Sequence, residues 1–263
     1  MEFTFYTADK IVFKRGALKE AGDYIARLGK KFLVIIDPFF AESPAMEDLT
    51  RQLEALGADY LIFSEVRGEP TVDLVDEVSR LALASQCDAV ISLGGGSCID
   101  VGKATAAIIT NGGPAVDYLE VVGKGKKVTE APVPFVAIPT TAGTGSEVTK
   151  NAVLGSKTQG FKRSMRDDKM VATIAIIDPE LDMGCPRKVT ATSGIDALTH
   201  LIEAYITFRA TPISDGLALK GIELAGKYLQ RACDDGKDME AREGMCAALL
   251  GHATVVVRSI EDG

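Results

Sequence analysis

The sequence predicts an α/β protein, in which a parallel β-sheet covered by helices is followed by an all-α region. Over the first two thirds of the chain, continuous apolar runs alternate with segments of helical periodicity, as in a parallel sheet buried on both faces. After Pro186 only helical periodicity continues before the tail. We therefore predict two domains, residues 1–184 and residues 185–263, with the boundary near residues 183–186.

The individual elements follow from local patterns. Residues 32–36 are five consecutive apolar residues, and Asp37-Pro38 ends this run, which predicts a buried strand. The helical pattern of residues 46–56 is followed by Gly57, a typical residue at a helix end. The predicted strands are residues 3–6, 11–13, 32–36, 60–63, 89–93, 135–138 and 170–177. The predicted helices are residues 17–28, 46–56, 71–84, 190–207, 213–231 and 239–250, with another opening at Ser97.

Composition narrows the class of protein. The chain has 263 residues and a formal net charge of -8, from 29 basic and 37 acidic residues, which argues against nucleic acid or an anionic membrane as partner. No apolar run approaches the roughly 20 residues of a membrane-spanning helix, and no secretion signal is visible. The five cysteines form no C-x-x-C pair. We expect free thiols and a cytoplasmic protein.

A glycine-rich turn lies in the middle of the predicted sheet. The apolar run at residues 89–93 stops at three consecutive glycines, residues 94–96, and Ser97 opens a helical pattern. Such a turn leaves N–H groups open at a helix N-terminus, where the dipole also attracts an anion such as a diphosphate. Ser97 suits the N-cap position. A tight turn without a ligand explains the same glycines, so both interpretations stay open.

A second loop, rich in small hydrogen-bond donors, follows the strand predicted at residues 135–138. Its hydroxyl side chains include those of Thr140, Thr141, Thr144 and Ser146. Because ligands of open parallel sheets bind beyond the carboxyl ends of the strands, both loops should face one crevice. Two donor-rich loops at one edge favour a shared ligand over a merely flexible loop.

Asp37 comes at the same predicted edge, directly after a strand. A carboxylate there can accept hydrogen bonds from a ribose diol and would repel a 2′-phosphate, which favours NAD over NADP. The alternative is that Asp37 simply starts a turn before Pro38. The residues alone favour neither interpretation.

Asp196 and His200 form an i,i+4 pair in the helix predicted at residues 190–207. That spacing places a carboxylate and an imidazole on one helical face, where both can bind a divalent metal. Such a pair alone is more often a surface pair or a core hydrogen bond. The flanking residues are mostly apolar, and a charged group in apolar surroundings needs a partner or a function.

Three long motifs carry a resemblance to a known family. They are residues 94–103 (GGGSCIDVGK), residues 138–149 (IPTTAGTGSEVT) and residues 194–205 (GIDALTHLIEAY). In this order they resemble the iron-containing (group III) alcohol dehydrogenases, and the resemblance covers residues 1–250. It implies a Rossmann-like N-terminal domain that binds NAD, a helical domain that holds a metal, and an alcohol or aldehyde substrate between them.

The resemblance also implies roles for individual residues. It implies that Gly95, Gly96 and Ser97 bind the pyrophosphate and that Asp100 braces the turn. Along the nicotinamide side it implies Thr140, Thr141, Thr144 and Ser146. Looser matches to family cofactor contacts are Asn151, Lys162 and Leu181. Asp37 matches the position whose acid accompanies a preference for NAD.

The same resemblance makes Asp196 and His200 two of four ligands to Fe²⁺ or Zn²⁺, which would polarise the alcohol oxygen for hydride transfer to NAD. Family members continue into a helical stretch that supplies two more histidines, whereas this chain ends at Gly263. His252 could substitute but sits too early, and the three valines at residues 255–257 suit a strand. We expect a C-terminally truncated member whose exposed apolar helix faces promote homo-oligomers or aggregation.

Three functions remain open at this point. The first is a metal-dependent, NAD-linked alcohol or aldehyde oxidoreductase. The second is a catalytically inactive remnant that keeps NAD binding. The third is a metal-independent enzyme resembling maleylacetate reductases, against which the match of Asp196 and His200 to metal ligands argues.

Overall fold

The structure, a computed structural model, describes residues 3–251 and 258–259. Its strands are β1 (Phe3–Thr4), β2 (Lys10–Phe13), β3 (Lys31–Ile36), β4 (Asp59–Phe63), β5 (Ala89–Gly94), β6 (Phe135–Pro139), β7 (Asn151–Ser156), β8 (Phe161–Arg166), β9 (Ile174–Ile177) and β10 (Arg258–Ser259). Its helices are α1 (Ala21–Ile25), α2 (Pro44–Ala55), α3 (Val72–Ala84), α4 (Gly96–Asn111), α5 (Arg187–Ile206), α6 (Pro212–Asp234) and α7 (Met239–Leu249).

Within the described residues, six strands form a parallel sheet in the order β2-β9-β6-β5-β3-β4. On β5, Val90 pairs with Leu33 of β3 on one side and with Phe135 of β6 on the other. Every residue of β5, β6 and β9 is buried. Burial on both faces explains why these segments are unbroken apolar runs, and the predicted α/β architecture is confirmed.

The helices divide between the two faces of the sheet. α1 and α2 pack on the face that carries Phe32, Val34 and Ile36, whereas α3 and α4 pack on the face that carries Leu33 and Ile35. The helix that follows β3 therefore lies on the opposite face from the helix that follows β5. The chain leaves β3 towards β4 on one side of the sheet and leaves β5 towards β6 on the other. Because both connections are right-handed, their helices must lie on opposite faces, and a crevice opens between them beyond the carboxyl ends of β3 and β5.

The three long helices that follow the sheet pack through small residues. A Cβ added at Gly194 would lie 2.2 Å from Cδ1 of Leu229, and one added at Gly244 would lie 2.1 Å from Cδ2 of Tyr228. The fully buried Arg242 of α7 joins this helical region to the segment that follows β9. Within the described residues, no helix is both long and apolar enough to cross a membrane.

Several predicted elements differ in the structure. Residues 17–20 form a 3-10 turn before a short α1, because the Asp178 carboxylate accepts two N–H groups at its start. The strand predicted at residues 170–177 shrinks to β9, because Asp167 caps a 3-10 turn before it. The antiparallel β7–β8 hairpin was not predicted.

The tail is described in part. β10 pairs antiparallel with β1. His252 and residues 255–257, to which the sequence analysis assigns a possible metal ligand and a strand, lie outside the described residues.

Gly102 is where α4 presses closest on the sheet. An added Cβ would lie 2.0 Å from Oγ of Ser92 and 2.8 Å from the ring of Phe135, and both side chains are buried. We expect Gly102→Ala to lower the free energy of unfolding by about 1–3 kcal/mol, because overpacking outweighs the gain in helix propensity.

The matched control is Gly226 in α6, where an added Cβ meets nothing within 4 Å. Gly226→Ala should raise the free energy of unfolding by about 0.5–1 kcal/mol. Urea denaturation measures both variants, and effects of the same sign would contradict this account of Gly102.

Candidate active site

α4 begins directly at the glycine turn. Gly95 is the N-cap residue and Gly96 the first helical residue, so the prediction that Ser97 is the N-cap is wrong. The reason is that β5 runs through Gly94 and the chain turns at Gly95 alone. Within the described residues, no side chain caps this helix end. The N–H groups of the first turn therefore stay available to an anion.

The two donor-rich loops meet at the carboxyl edge of the sheet. A Cβ added at Gly95 would lie 3.4 Å from Oγ1 of Thr141, and one added at Gly96 would lie 2.5 Å from Oγ1 of Thr144. The predicted meeting of the loops is confirmed. The absence of a side chain at position 96 permits the close approach.

A cleft of about 1290 Å³ opens beside these loops, and the β7–β8 hairpin and α5 contribute to its walls. The predicted site residues that line it are Gly96, Ser97, Asp100, Thr144, Ser146, Asn151, Lys162, Asp196 and His200. The cleft exceeds the roughly 300–1,000 Å³ of a drug-sized ligand site, so it has room for a dinucleotide.

The remaining predicted site residues lie off the cleft wall; they are Asp37, Gly95, Thr140, Thr141 and Leu181. Asp37 lies against the glycine turn, where a Cβ added at Gly94 would be 3.1 Å from the Asp37 Cβ. Its Oδ1 accepts the N–H of Phe39 at 2.9 Å, which is the turn-starting role left open by the sequence. Thr140 donates its N–H to the Gly94 carbonyl, and Leu181 packs in the core.

Below the cleft, α4 buries two charged side chains. Oδ2 of Asp100 accepts the N–H of Val153 at 2.9 Å, so Asp100 joins α4 to β7; that Asp100 braces the glycine turn stays a prediction. Lys103, one turn later, is 1% exposed, and so is Glu147 in the threonine-rich loop. Sequence analysis missed these last two residues. The available signal was a lysine three positions after an aspartate, in a helix of otherwise small and apolar residues.

Asp196 and His200 lie one turn apart on α5. Their Oδ1 and Nε2 atoms are 3.9 Å apart, and both side chains are partly exposed at the cleft. Because metal–oxygen and metal–nitrogen bonds are each about 2.0–2.2 Å, one ion can bridge two atoms up to roughly 4.2 Å apart. The pair therefore fits two ligands of a divalent metal. Within the described residues, no group of three or more His, Cys, Asp or Glu side chains could hold one.

The surroundings of this pair differ from those inferred from sequence. Two of its apolar neighbours are exposed, Ile195 at 57% and Ile202 at 41%, whereas Ala197 and Leu201 are buried. The pair is therefore not a set of charges enclosed by apolar side chains, and that part of the sequence argument is wrong. α5 buries one face through Gly194, Ala197 and Leu201 and leaves Ile195, Ile202 and Ile206 exposed.

The chain is similar to several alcohol and aldehyde oxidoreductases. It is 39% identical to the NAD-dependent methanol dehydrogenase of Bacillus methanolicus, over 93% of this chain and 63% of that protein. It is 40% identical to the choline dehydrogenase of Bacillus subtilis (strain 168), over 89% of this chain and 58% of that protein. The chain thus spans about 60% of the length of these relatives.

Solved structures show the same architecture. A crystal structure of 1,3-propanediol oxidoreductase superposes with a TM-score of 0.91 at 31% identity, covering 98% of this chain and 67% of that one. The sulfoacetaldehyde reductase from Bifidobacterium kashiwanohense in complex with NAD+ gives 0.88 at 32% identity, covering 97% and 67%.

Family profiles match nearly all of the chain. Residues 8–179 match "Iron-containing alcohol dehydrogenase", and residues 190–256 match "Fe-containing alcohol dehydrogenase family, C-terminal". Together with the motifs that meet at the cleft, these matches show that the chain belongs to the iron-containing alcohol dehydrogenase family.

Proposed function

We propose that this protein transfers hydride between an alcohol, or its aldehyde or ketone, and NAD, with the help of a divalent metal. The observation that carries the proposal is one cleft lined by the glycine turn, by the threonine-rich loop and by the Asp196–His200 pair. We propose residues 1–184 as the cofactor-binding domain and residues 185–263 as the metal-binding domain.

The cofactor half rests on the open helix start and the hydroxyls beside it. We assign the diphosphate to Gly95, Gly96 and Ser97, because uncapped N–H groups at a helix N-terminus bind anions. We assign the nicotinamide side to Thr140, Thr141, Thr144 and Ser146. Further contacts are assigned to Asn151, Lys162 and Leu181. The Asp37 carboxylate accepts hydrogen bonds from the ribose hydroxyls and repels a 2′-phosphate, so the preferred cofactor is NAD rather than NADP.

The metal half rests on Asp196 and His200, which supply one carboxylate oxygen and one imidazole nitrogen at the cleft. This donor pair suits Fe²⁺, in keeping with the family, and also Zn²⁺. A metal held there would supply Lewis-acid polarisation of the alcohol oxygen, and bound NAD would supply the hydride acceptor. The protein's own side chains bind and orient the two reactants at neighbouring ends of one cleft.

Assembly and location complete the proposal. Ile206 and Phe208 are 71% and 91% exposed at the end of α5, and apolar surface of this kind favours a homo-oligomer. All five cysteines are free, which suits a cytoplasmic protein.

Three measurements test the proposal. Fluorescence titrations compare the affinities for NADH and NADPH, metal analysis after gel filtration follows loading with Fe²⁺ or Zn²⁺, and NADH formation is followed with short-chain alcohols. We expect tighter binding of NADH than of NADPH, and metal retention that Asp196→Ala and His200→Ala abolish. Glu223→Ala, which removes an exposed acid on α6, should leave metal retention unchanged.

The outcomes separate the alternatives. NADH binding without metal retention or turnover would identify an inactive NAD-binding protein. Turnover that survives exhaustive chelation would identify a metal-independent enzyme of the maleylacetate reductase kind. Failure to bind NADH at all would overturn the proposal.

A further inference from the structure

The buried ammonium group of Lys103 holds three carbonyls of one loop. Its Nζ donates to the carbonyl oxygens of Ser146, Thr149 and Asn151 at 2.6, 2.7 and 2.7 Å. An ammonium group has three protons, so these bonds use all of them. Lys103 is thereby the anchor of loop 146–151, which runs from the threonine-rich segment into β7.

Two carboxylates face this ammonium. Asp100 lies on α4 one turn earlier, and Glu147 lies in the anchored loop. Burial lowers the pKa of Lys103 to about 8, while the two carboxylates raise it. Burial also raises the pKa of Glu147 to about 7. It raises the pKa of Asp100 as well, although the positive charge of Lys162 on β8 opposes that rise. A buried charge cluster of this kind has a cost in stability that surface residues do not carry, which points to a function.

The same helix thus fixes both loops of the cleft. α4 begins at the glycine turn, and Lys103 lies two turns further along the helix. α4 holds loop 146–151 through the hydrogen bonds of Lys103, and it holds β7 through the hydrogen bond from Val153 to Asp100. These bonds fix the positions of the loop and of β7 relative to the start of α4. The distance between the two halves of the cofactor site is therefore a property of one rigid helix.

We propose that Lys103 is a positioning residue, which holds loop 146–151 so that the nicotinamide half of NAD is bound in register with its diphosphate. This inference rests on the proposed function. It assigns Lys103 no contact with cofactor or substrate. Loss of the lysine should weaken the part of the affinity that comes from the nicotinamide side and spare the part that comes from the glycine turn.

The test compares two ligands on Lys103→Met. ADP engages the glycine turn alone, whereas NADH engages both loops. We expect the Kd for NADH to rise about tenfold or more, since charge-assisted hydrogen bonds fix the loop, while the Kd for ADP stays near the wild-type value. The control is Lys220→Met, which removes an exposed lysine paired with Glu223 on α6, and it should change neither Kd.

The opposite results are equally clear. Equal loss of ADP and NADH affinity in a folded Lys103→Met variant would show a merely structural role, and unchanged NADH affinity would show no role. Wild-type protein that binds neither ligand would instead overturn the proposed cofactor binding itself.

A pH series on wild-type protein gives an arm that does not depend on folding of the variant. Neutral lysine has two N–H donors and cannot serve three carbonyls. Between about pH 7.5 and about pH 9.5 the Kd for NADH should therefore rise while that for ADP does not. Equal pH dependence for the two ligands would overturn the inference.

Discussion

Replacing Arg242 with methionine is expected to lower the free energy of unfolding by about 3–5 kcal/mol. The guanidinium is 1% exposed and donates to Oδ2 of Asp182 at 3.1 Å and to Oγ1 of Thr190 at 2.8 Å. It also donates to the carbonyls of Cys185 and Gly236. Methionine would leave a buried carboxylate without its counter-charge, in the joint between the sheet and the last helices.

Urea denaturation measures this loss, and Arg231→Met is the matched control. Arg231 pairs with Asp238 and Glu240, but its side chain is 41% exposed, so solvent replaces much of what is lost. The double variant Arg242→Met/Asp182→Leu should recover part of the loss, because it removes the orphaned carboxylate. A loss for Arg242→Met no larger than that for Arg231→Met would contradict the structural account.

Gly96→Ala is expected to weaken NADH binding by about 10- to 100-fold while the protein stays folded. The new Cβ would lie 2.5 Å from Oγ1 and 2.9 Å from Cγ2 of Thr144. Because threonine is short and branched at Cβ, a change of side-chain rotamer cannot relieve this clash, and the backbone of the loop must move. The movement separates the glycine turn from the threonine-rich loop.

Fluorescence titration with NADH reports this change, with Gly226→Ala as the control that adds the same methyl group to an open helix surface. Circular dichroism shows whether each variant keeps its fold. Wild-type NADH affinity in Gly96→Ala would mean that the approach of the two loops is irrelevant to the cofactor.

The sheet and the crevice could be predicted because their signals are local. A strand buried on both faces must be apolar throughout, as residues 32–36 and 89–93 are, and a glycine run directly after a strand leaves few alternatives to a turn. Once the strands are parallel, their loops must share an edge. The meeting of Gly96 with Thr144 follows from these two facts.

The other features depend on contacts between distant segments. The β7–β8 hairpin alternates half-buried and buried residues on β7 because β7 packs near α4, and the basic residues of β8 make that strand resemble a surface loop in sequence. Lys103 and Glu147 look like surface residues until the fold encloses them. α4 starts two residues earlier than predicted, with its N-cap at Gly95 instead of Ser97. Helix ends depend on local hydrogen bonds that sequence patterns locate only to within one or two residues.

The pairing of β2 with β9 sets the order of events during synthesis. Lys10–Phe13 aligns with Ile174–Ile177, so β2 cannot complete its backbone hydrogen bonds to β9 until roughly 160 further residues have been synthesised. Such long sequence separations slow folding and leave a nascent strand edge open to other molecules.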